Sequence, residues 1–114
     1  MLDDFKLFKK SYDLLLWIYP TIKKFPKSDK YTLGENIKKC ILDIISNIIC
    51  FCKYKNKLLY LNKIDLDLEK LRIFFRISKD IKILSFKKYD FVELQINELG
   101  NIVGGLLKKN DFSN

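Results

Sequence analysis

The stretch Leu61-Asn62-Lys63-Ile64-Asp65-Leu66-Asp67-Leu68-Glu69-Lys70-Leu71-Arg72-Ile73-Phe74-Phe75-Arg76-Ile77-Ser78-Lys79-Asp80-Ile81 decides the fold. Leu61, Ile64, Leu68, Leu71, Phe75, Ser78 and Ile81 recur at steps of three or four, which places them on one stripe of a helix. A half-buried strand needs alternation at period two, and nothing in the chain sustains it. Three other segments repeat the helical spacing. Upstream lie Phe5, Phe8, Tyr12, Leu15, Tyr19 and Ile22, then Ile37, Ile41, Ile44, Ile48 and Phe51; downstream lie Tyr89, Val92, Ile96, Leu99, Val103 and Leu106. Amphipathic helices joined by short connections pack antiparallel, so the expectation is an all-α, up-down-up-down four-helix bundle.

Local punctuation sets expected helices at roughly 3–25, 32–54, 57–84 and 86–109 of a single domain spanning 1–114. Phe25-Pro26-Lys27-Ser28-Asp29-Lys30 separates the first two, and Thr32 with Glu35 has the spacing of a capping box. Lys53-Tyr54-Lys55-Asn56-Lys57 breaks the chain before the third helix, and Ser85 is placed to cap the fourth. Pro20 lacks a backbone donor, which predicts a kink or an early end in the first helix.

The 114 residues are 48% apolar, enough for one cooperative core and too rich for a disordered chain. No apolar run approaches the ~20 residues of a membrane span, and the acidic N-terminus lacks a signal-peptide pattern. The three cysteines, Cys40, Cys50 and Cys52, are odd in number, which predicts reduced, buried thiols in a cytoplasmic protein. Apolar residues also fall off the seams: Leu14, Leu16, Trp17 and Ile18; Ile73, Phe74 and Ile77; Phe91 and Ile102. A helix that is apolar nearly all round is covered by something, so self-association is expected. Gly100 and Gly104, with Gly105 alongside, suggest close approach of another backbone to the last helix.

A net charge of +8 points to an anionic partner, nucleic acid before membrane, discounted because lysine outnumbers arginine 20 to 2 as in AT-rich coding. The antiparallel topology sorts this charge. One end gathers ten lysines, among them Lys23, Lys24, Lys27, Lys30 and Lys79, against four carboxylates; the other gathers nine against five. Around the waist the acids win. Arg72 and Arg76 stand one helical turn apart, with Lys79 continuing their stripe. Their planar donor forks suit phosphate or a partner carboxylate, and pairing of Glu69 with Arg72 or Arg76 with Asp80 is the plainer reading. The candidate binding residues are therefore Lys23, Lys24, Lys27, Lys30, Arg72, Arg76 and Lys79.

Catalysis finds no foothold. Histidine is absent, and there is no glycine-rich phosphate loop, nucleophile elbow or metal-ligand cluster. On a helix Asp67 points away from Asp65 and Glu69, so these acids do not make a metal site. The chain reads as a protein without enzymatic activity, metal or cofactor.

Tyr12-Asp13-Leu14-Leu15-Leu16-Trp17-Ile18-Tyr19-Pro20, followed by Lys24-Phe25-Pro26-Lys27 and Tyr31-Thr32-Leu33-Gly34-Glu35, resembles the opening of the accessory variability determinant of diversity-generating retroelements. Leu68 to Lys79, Leu84-Ser85-Phe86-Lys87-Lys88-Tyr89 and Glu98-Leu99-Gly100-Asn101-Ile102-Val103-Gly104-Gly105 continue the resemblance in order. Leu106 departs from the tryptophan that the family commonly places after the paired glycines. The resemblance implies a barrel-shaped homopentamer with a basic surface. It also implies association with the retroelement's reverse transcriptase and with RNA and cDNA, in support of mutagenic reverse transcription and without chemistry of its own. The wider superfamily includes proteins encoded in ribosomal RNA intervening sequences. A stand-alone bundle of that kind, binding structured RNA or acting as a structural oligomer, is the alternative.

Overall fold

The computed structural model describes residues 2–112, with positions 3 and 110–112 described by backbone only. A 3-10 turn over Leu2–Asp4 precedes α1 (Lys6–Lys23), the one-turn α2 (Lys27–Lys30), α3 (Leu33–Lys53), α4 (Lys57–Asp80) and α5 (Phe86–Phe112). No strand occurs among the described residues. The four long helices alternate in direction. Phe5, just before α1, stacks on Phe51 late in α3, whereas Tyr19 late in α1 lies under the Lys38 ammonium early in α3. Arg72 of α4 reaches Asn97 of α5, and Lys79, further along α4, covers Tyr89 earlier in α5. Lys10 to Glu98 and Trp17 to Phe91 close α1 against α5. The result is an up-down-up-down four-helix bundle 46 Å long and about 20 Å across.

Three of the four seams pack as their spacing predicts. Ile37, Ile41, Ile44 and Ile48 face Leu61, Ile64, Leu71 and Phe75, and Val92, Ile96 and Val103 complete the core, all without accessible surface. Each contributes about 1.5–3 kcal/mol through burial. Ile81 departs from the pattern and is 49% exposed, because α4 has ended one residue before it.

The first seam is corrected except at Ile22, which is buried as expected. The buried stripe of α1 is Leu7, Ser11, Leu14, Ile18 and Ile22, about a third of a turn from the aromatic stripe read in the sequence. Tyr12 is 48% exposed, and Phe8, Leu15 and Tyr19 lie half-buried on the flank. Ser11 explains the misreading: it sits on the inner face with a buried hydroxyl that has no hydrogen-bond partner. Of the apolar residues expected off the seams, Leu14 and Ile18 thus belong to the core, while Leu16, Ile77 and Phe91 stay exposed. The expected burial of cysteine holds for Cys40; Cys50 is half-buried and Cys52 exposed.

Local signals divide in the same way. Pro20 does not end α1, which runs on to Lys23. Its ring and Leu16, whose carbonyl loses a donor, are both exposed, so water can replace the missing bond. Thr21 also donates its hydroxyl to the Trp17 carbonyl at 2.8 Å. The capping box at Thr32 does not form, since that hydroxyl donates to the Ser28 carbonyl instead, and Glu35 pairs with Lys38. Ser85 does cap α5, accepting from the Lys88 N–H at 3.2 Å.

The third helix stops at Asp80 rather than near residue 84 because the chain turns through a left-handed cap. Lys82 has φ 66°, its N–H donates to the Lys79 carbonyl, and the Ile83 N–H donates to the Ser78 carbonyl. This is the hydrogen-bond pattern of a Schellman cap, with lysine where glycine is usual. The left-handed conformation costs a residue with a Cβ about 1 kcal/mol.

Gly34 fixes the opposite connection. A Cβ there would lie 2.7 Å from Cγ2 of Ile22 and 3.3 Å from the backbone oxygen of Asp29. The start of α3 is thereby seated against the end of α1 and against α2. Among the described residues nothing outside the local helix lies within 4 Å of a Cβ built at Gly104 or Gly105, so the close backbone approach expected there is not made by them. Gly34→Ala should lower stability by about 1–3 kcal/mol despite its better helix propensity. Gly105→Ala, at an exposed site, should raise it by up to about 1 kcal/mol. Urea midpoints of the two variants check both signs.

Candidate nucleic-acid interface

The turn between α1 and α3 is built by backbone bonds that leave its lysines facing water. Phe25 is buried and closes with its N–H on the Ile22 carbonyl, and Pro26 accepts from Asp29 and Lys30 to shape α2. Lys23, Lys24 and Lys27 are exposed and Lys30 half-exposed, and none has an ion-pair partner among the described residues. The four lysines singled out in the sequence are therefore brought together as unneutralised charge.

The two other lysines of this end that lie on α3 behave differently. Lys38 is held by Glu35 and the Tyr19 ring, and Lys39 pairs with Asp43 at 3.0 Å, which holds its ammonium above the usual lysine range. Around the corner, Lys82, Lys87 and Lys88 flank the start of α5; the first two are exposed and Lys88 is half-exposed. Asp3 and Asp111, counted at the opposite end, have side chains outside the described residues.

The α4 stripe is only partly free. The Arg72 guanidinium donates to Oδ1 of Asn97 at 2.8 Å, and its Nε faces Glu69 at 3.4 Å without hydrogen-bond geometry. The intrahelical pairing with Glu69 is thus present, and Arg72 also ties α4 to α5. Gly100 lies beside it, with a built Cβ 4.0 Å from Nη2. Arg76 is exposed and unpaired among the described residues, since Asp80 is taken by Lys79 at 3.4 Å. Lys79 also sits over the Tyr89 ring at 4.6 Å and the Phe86 ring at 5.4 Å. Burial pushes the Tyr89 phenol up, with the Glu93 charge adding to it.

The residues that sequence reasoning missed are aromatic. Phe86 is 72% exposed and Tyr31 65%, more than any other large apolar side chain among the described residues, and both lie at this basic end. Phe86 lies three residues before Tyr89, in register with the fourth seam, and Tyr31 lies in a connection, so no spacing in the sequence singles out either ring.

A family model described as bAvd-like matches residues 6–110. The chain belongs to the bAvd-like family. The match spans all four helices and agrees with the resemblance to accessory variability determinants. No curated protein matches the chain.

The bAvd-like bundle also carries an acidic waist. The Cys40 thiol donates to the Asp67 backbone carbonyl at 3.0 Å, and burial pushes that thiol up to about 12. The Asp67 carboxyl is raised too, chiefly by burial and then by the Asp43 charge, with Lys70 and Lys39 opposing. No cluster of three or more potential ligands for a metal occurs among the described residues, nor is any helix there long and apolar enough to cross a membrane.

The waist yields two expectations. At neutral pH an alkylating reagent should modify Cys52 first and leave Cys40 untouched until unfolding, as peptide mass mapping would show. For Asp67, a carboxyl raised in the folded state favours folding while protonated, and that advantage is lost as pH climbs through its folded value. Asp67→Asn should therefore be more stable than wild type at pH 7, the gap closing as pH falls below the ordinary carboxyl value of 3.8. Thermal midpoints across that range check it.

Proposed function

We propose that this bAvd-like protein is the non-catalytic accessory subunit of a diversity-generating retroelement. In this reading it binds the element's reverse transcriptase together with template RNA and cDNA, and it supports mutagenic reverse transcription in the cytoplasm. The observation that carries the nucleic-acid part is the group of unpaired lysines at one end: Lys23, Lys24, Lys27 and Lys30, with Lys82 in the turn after α4 and Lys87 and Lys88 in the first turn of α5. Charge left without intramolecular partners is charge available to phosphate, and such binding is tolerant of sequence and sensitive to salt. Arg76, exposed on α4, is the better placed of the two arginines for a polymerase carboxylate or a phosphate; Arg72 is engaged with Glu69 and Asn97.

Assembly into a homopentamer is part of the same proposal. Leu16 on α1, Leu66 and Ile77 on α4 and Leu94 on α5 remain at least 40% exposed, and Gly104 leaves open space on α5. Each is a surface that a second copy could cover. A ring would repeat the basic end around one axis and hold RNA and polymerase at high effective concentration without altering the catalytic step.

Replacing Lys23, Lys24, Lys27 and Lys30 together by glutamate should weaken RNA binding. It should also flatten the salt dependence, by about 0.7 in the log–log slope for each phosphate that is no longer neutralised. Filter binding at several salt concentrations reads both. An unchanged slope would remove this end from the interface. Co-expression with a reverse transcriptase encoded beside the gene, followed by mass measurement of the copurified complex, tests the partner and the copy number. Absence of any such reading frame would favour an intervening-sequence-type bundle.

A further inference from the structure

We infer that Phe86 and Tyr31 are base-stacking platforms, which makes the nucleic acid held at the basic end single-stranded. This inference rests on the proposed binding of nucleic acid and specifies its class. Both rings sit where an apolar side chain has least reason to be. They are the two most exposed large apolar side chains among the described residues, at 72% and 65%, and neither contributes to the core. Scattered exposed aliphatics are ordinary on a protein surface, but here the two extremes are both aromatic and both stand among lysines.

The surroundings of Phe86 favour a flat, anion-bearing occupant. Phe86 opens α5 and lines an open concavity with Lys79, Lys82, Ser85 and Asp80, whose carboxylate lies 3.4 Å from the Lys79 ammonium and leaves Lys82 as the unpaired cation there among the described residues. The Lys79 ammonium lies 5.4 Å from its ring centroid, yet most of the ring remains in water. Lys82 contributes from the left-handed position of the α4 cap, where glycine would be more stable. A charge is thus held beside the ring at a local cost to the fold. Tyr31 stands at the end of α2, directly after Lys30 and facing the same end of the bundle. A ring for the base and an ammonium for the adjacent phosphate is the pairing by which single strands are held without sequence preference. A duplex keeps its bases stacked on one another and cannot use the rings, whereas a protein partner or a second copy would use them with no demand for strandedness.

The test compares an oligouridylate with an RNA duplex of the same length. Phe86→Ala should weaken the single strand roughly fivefold or more, the lower end for one base on an aromatic ring, and leave the duplex unchanged. Tyr31→Ala should act in the same direction, and Phe86→Trp should restore binding with its fluorescence quenched by the single strand alone. Lys82→Gly should unfold at higher denaturant than wild type while binding the single strand more weakly, a combination that loss of structure cannot produce.

Equal losses for both RNAs, or none for either, in the Phe86→Ala protein overturn the inference while leaving salt-sensitive binding through the lysines intact. A changed assembly mass, or loss of a copurified polymerase with RNA affinity unchanged, overturns it in favour of a protein contact. If wild type binds neither RNA at low salt, the inference and the proposed function fail together.

Discussion

An aliphatic seam closed to water runs the length of this bundle, and it decides where everything charged can go. Ile41, Ile44, Ile64, Leu71, Phe75 and Ile96 meet with no accessible surface, so an ionised group among them would have to give up its hydration unpaired. Lysine is too abundant in this sequence to be accommodated along the flanks alone. Flank lysines find carboxylates or rings, as Lys10, Lys38 and Lys39 do, and the remainder gather where helices end and no seam exists. The basic end is in this sense a consequence of the core. Its shape is set by Gly34, whose lack of a side chain lets α1, α2 and α3 meet closely enough to hold Lys23 to Lys30 in one turn.

How much of this is legible in the sequence depends on how many solutions the pattern allows. In α3, α4 and α5 one apolar stripe is clearly wider than its rivals, and Ile37 to Ile48, Leu61 to Phe75 and Tyr89 to Val103 are buried as their spacing implies. α1 offers two stripes. Phe8, Tyr12, Leu15 and Tyr19 make the more regular one, yet the stripe that packs contains Ser11, whose hydroxyl is buried without a partner. A preference read from apolar character alone selects the wrong face there, because aromatic rings also serve on half-exposed flanks. The turn at Lys82 is hidden for a related reason. Ile81, Ile83 and Leu84 continue an apolar run, and only the missing glycine of a usual helix end disguises the cap.

The candidate site is legible in its charges and illegible in its rings. Lys23, Lys24, Lys27 and Lys30 lie close together in the sequence, and connectivity alone brings them together. Arg72 and Arg76 look equivalent in a helical wheel, but helix packing separates them: Asn97 and Glu69 occupy one guanidinium, and the other remains in water. Phe86 could be recognised only once its helix was known to begin at that residue, since a phenylalanine inside an apolar helix would ordinarily be core.

Local rules are broken more often at the basic end than at the waist, and that asymmetry has a physical meaning. At the waist the departures are smaller: the Cys40 thiol has the Asp67 carbonyl, and Arg72, although its Nε makes no hydrogen bond, donates to Asn97 and faces Glu69. At the basic end Lys82 holds a conformation that glycine holds at lower cost, lysines outnumber carboxylates, with Lys23, Lys24, Lys27 and Lys30 unpaired among the described residues, and two aromatic rings stand in water. None of these stabilises the isolated chain. A fold consistent at every other level tolerates such costs where an interaction outside the chain offsets them. Negative charge would relieve the lysines, and a flat unsaturated surface would cover the rings. A single-stranded nucleic acid would provide both on one molecule, whereas a protein surface would have to bring acidic groups for the lysines and separate flat or apolar groups for the rings.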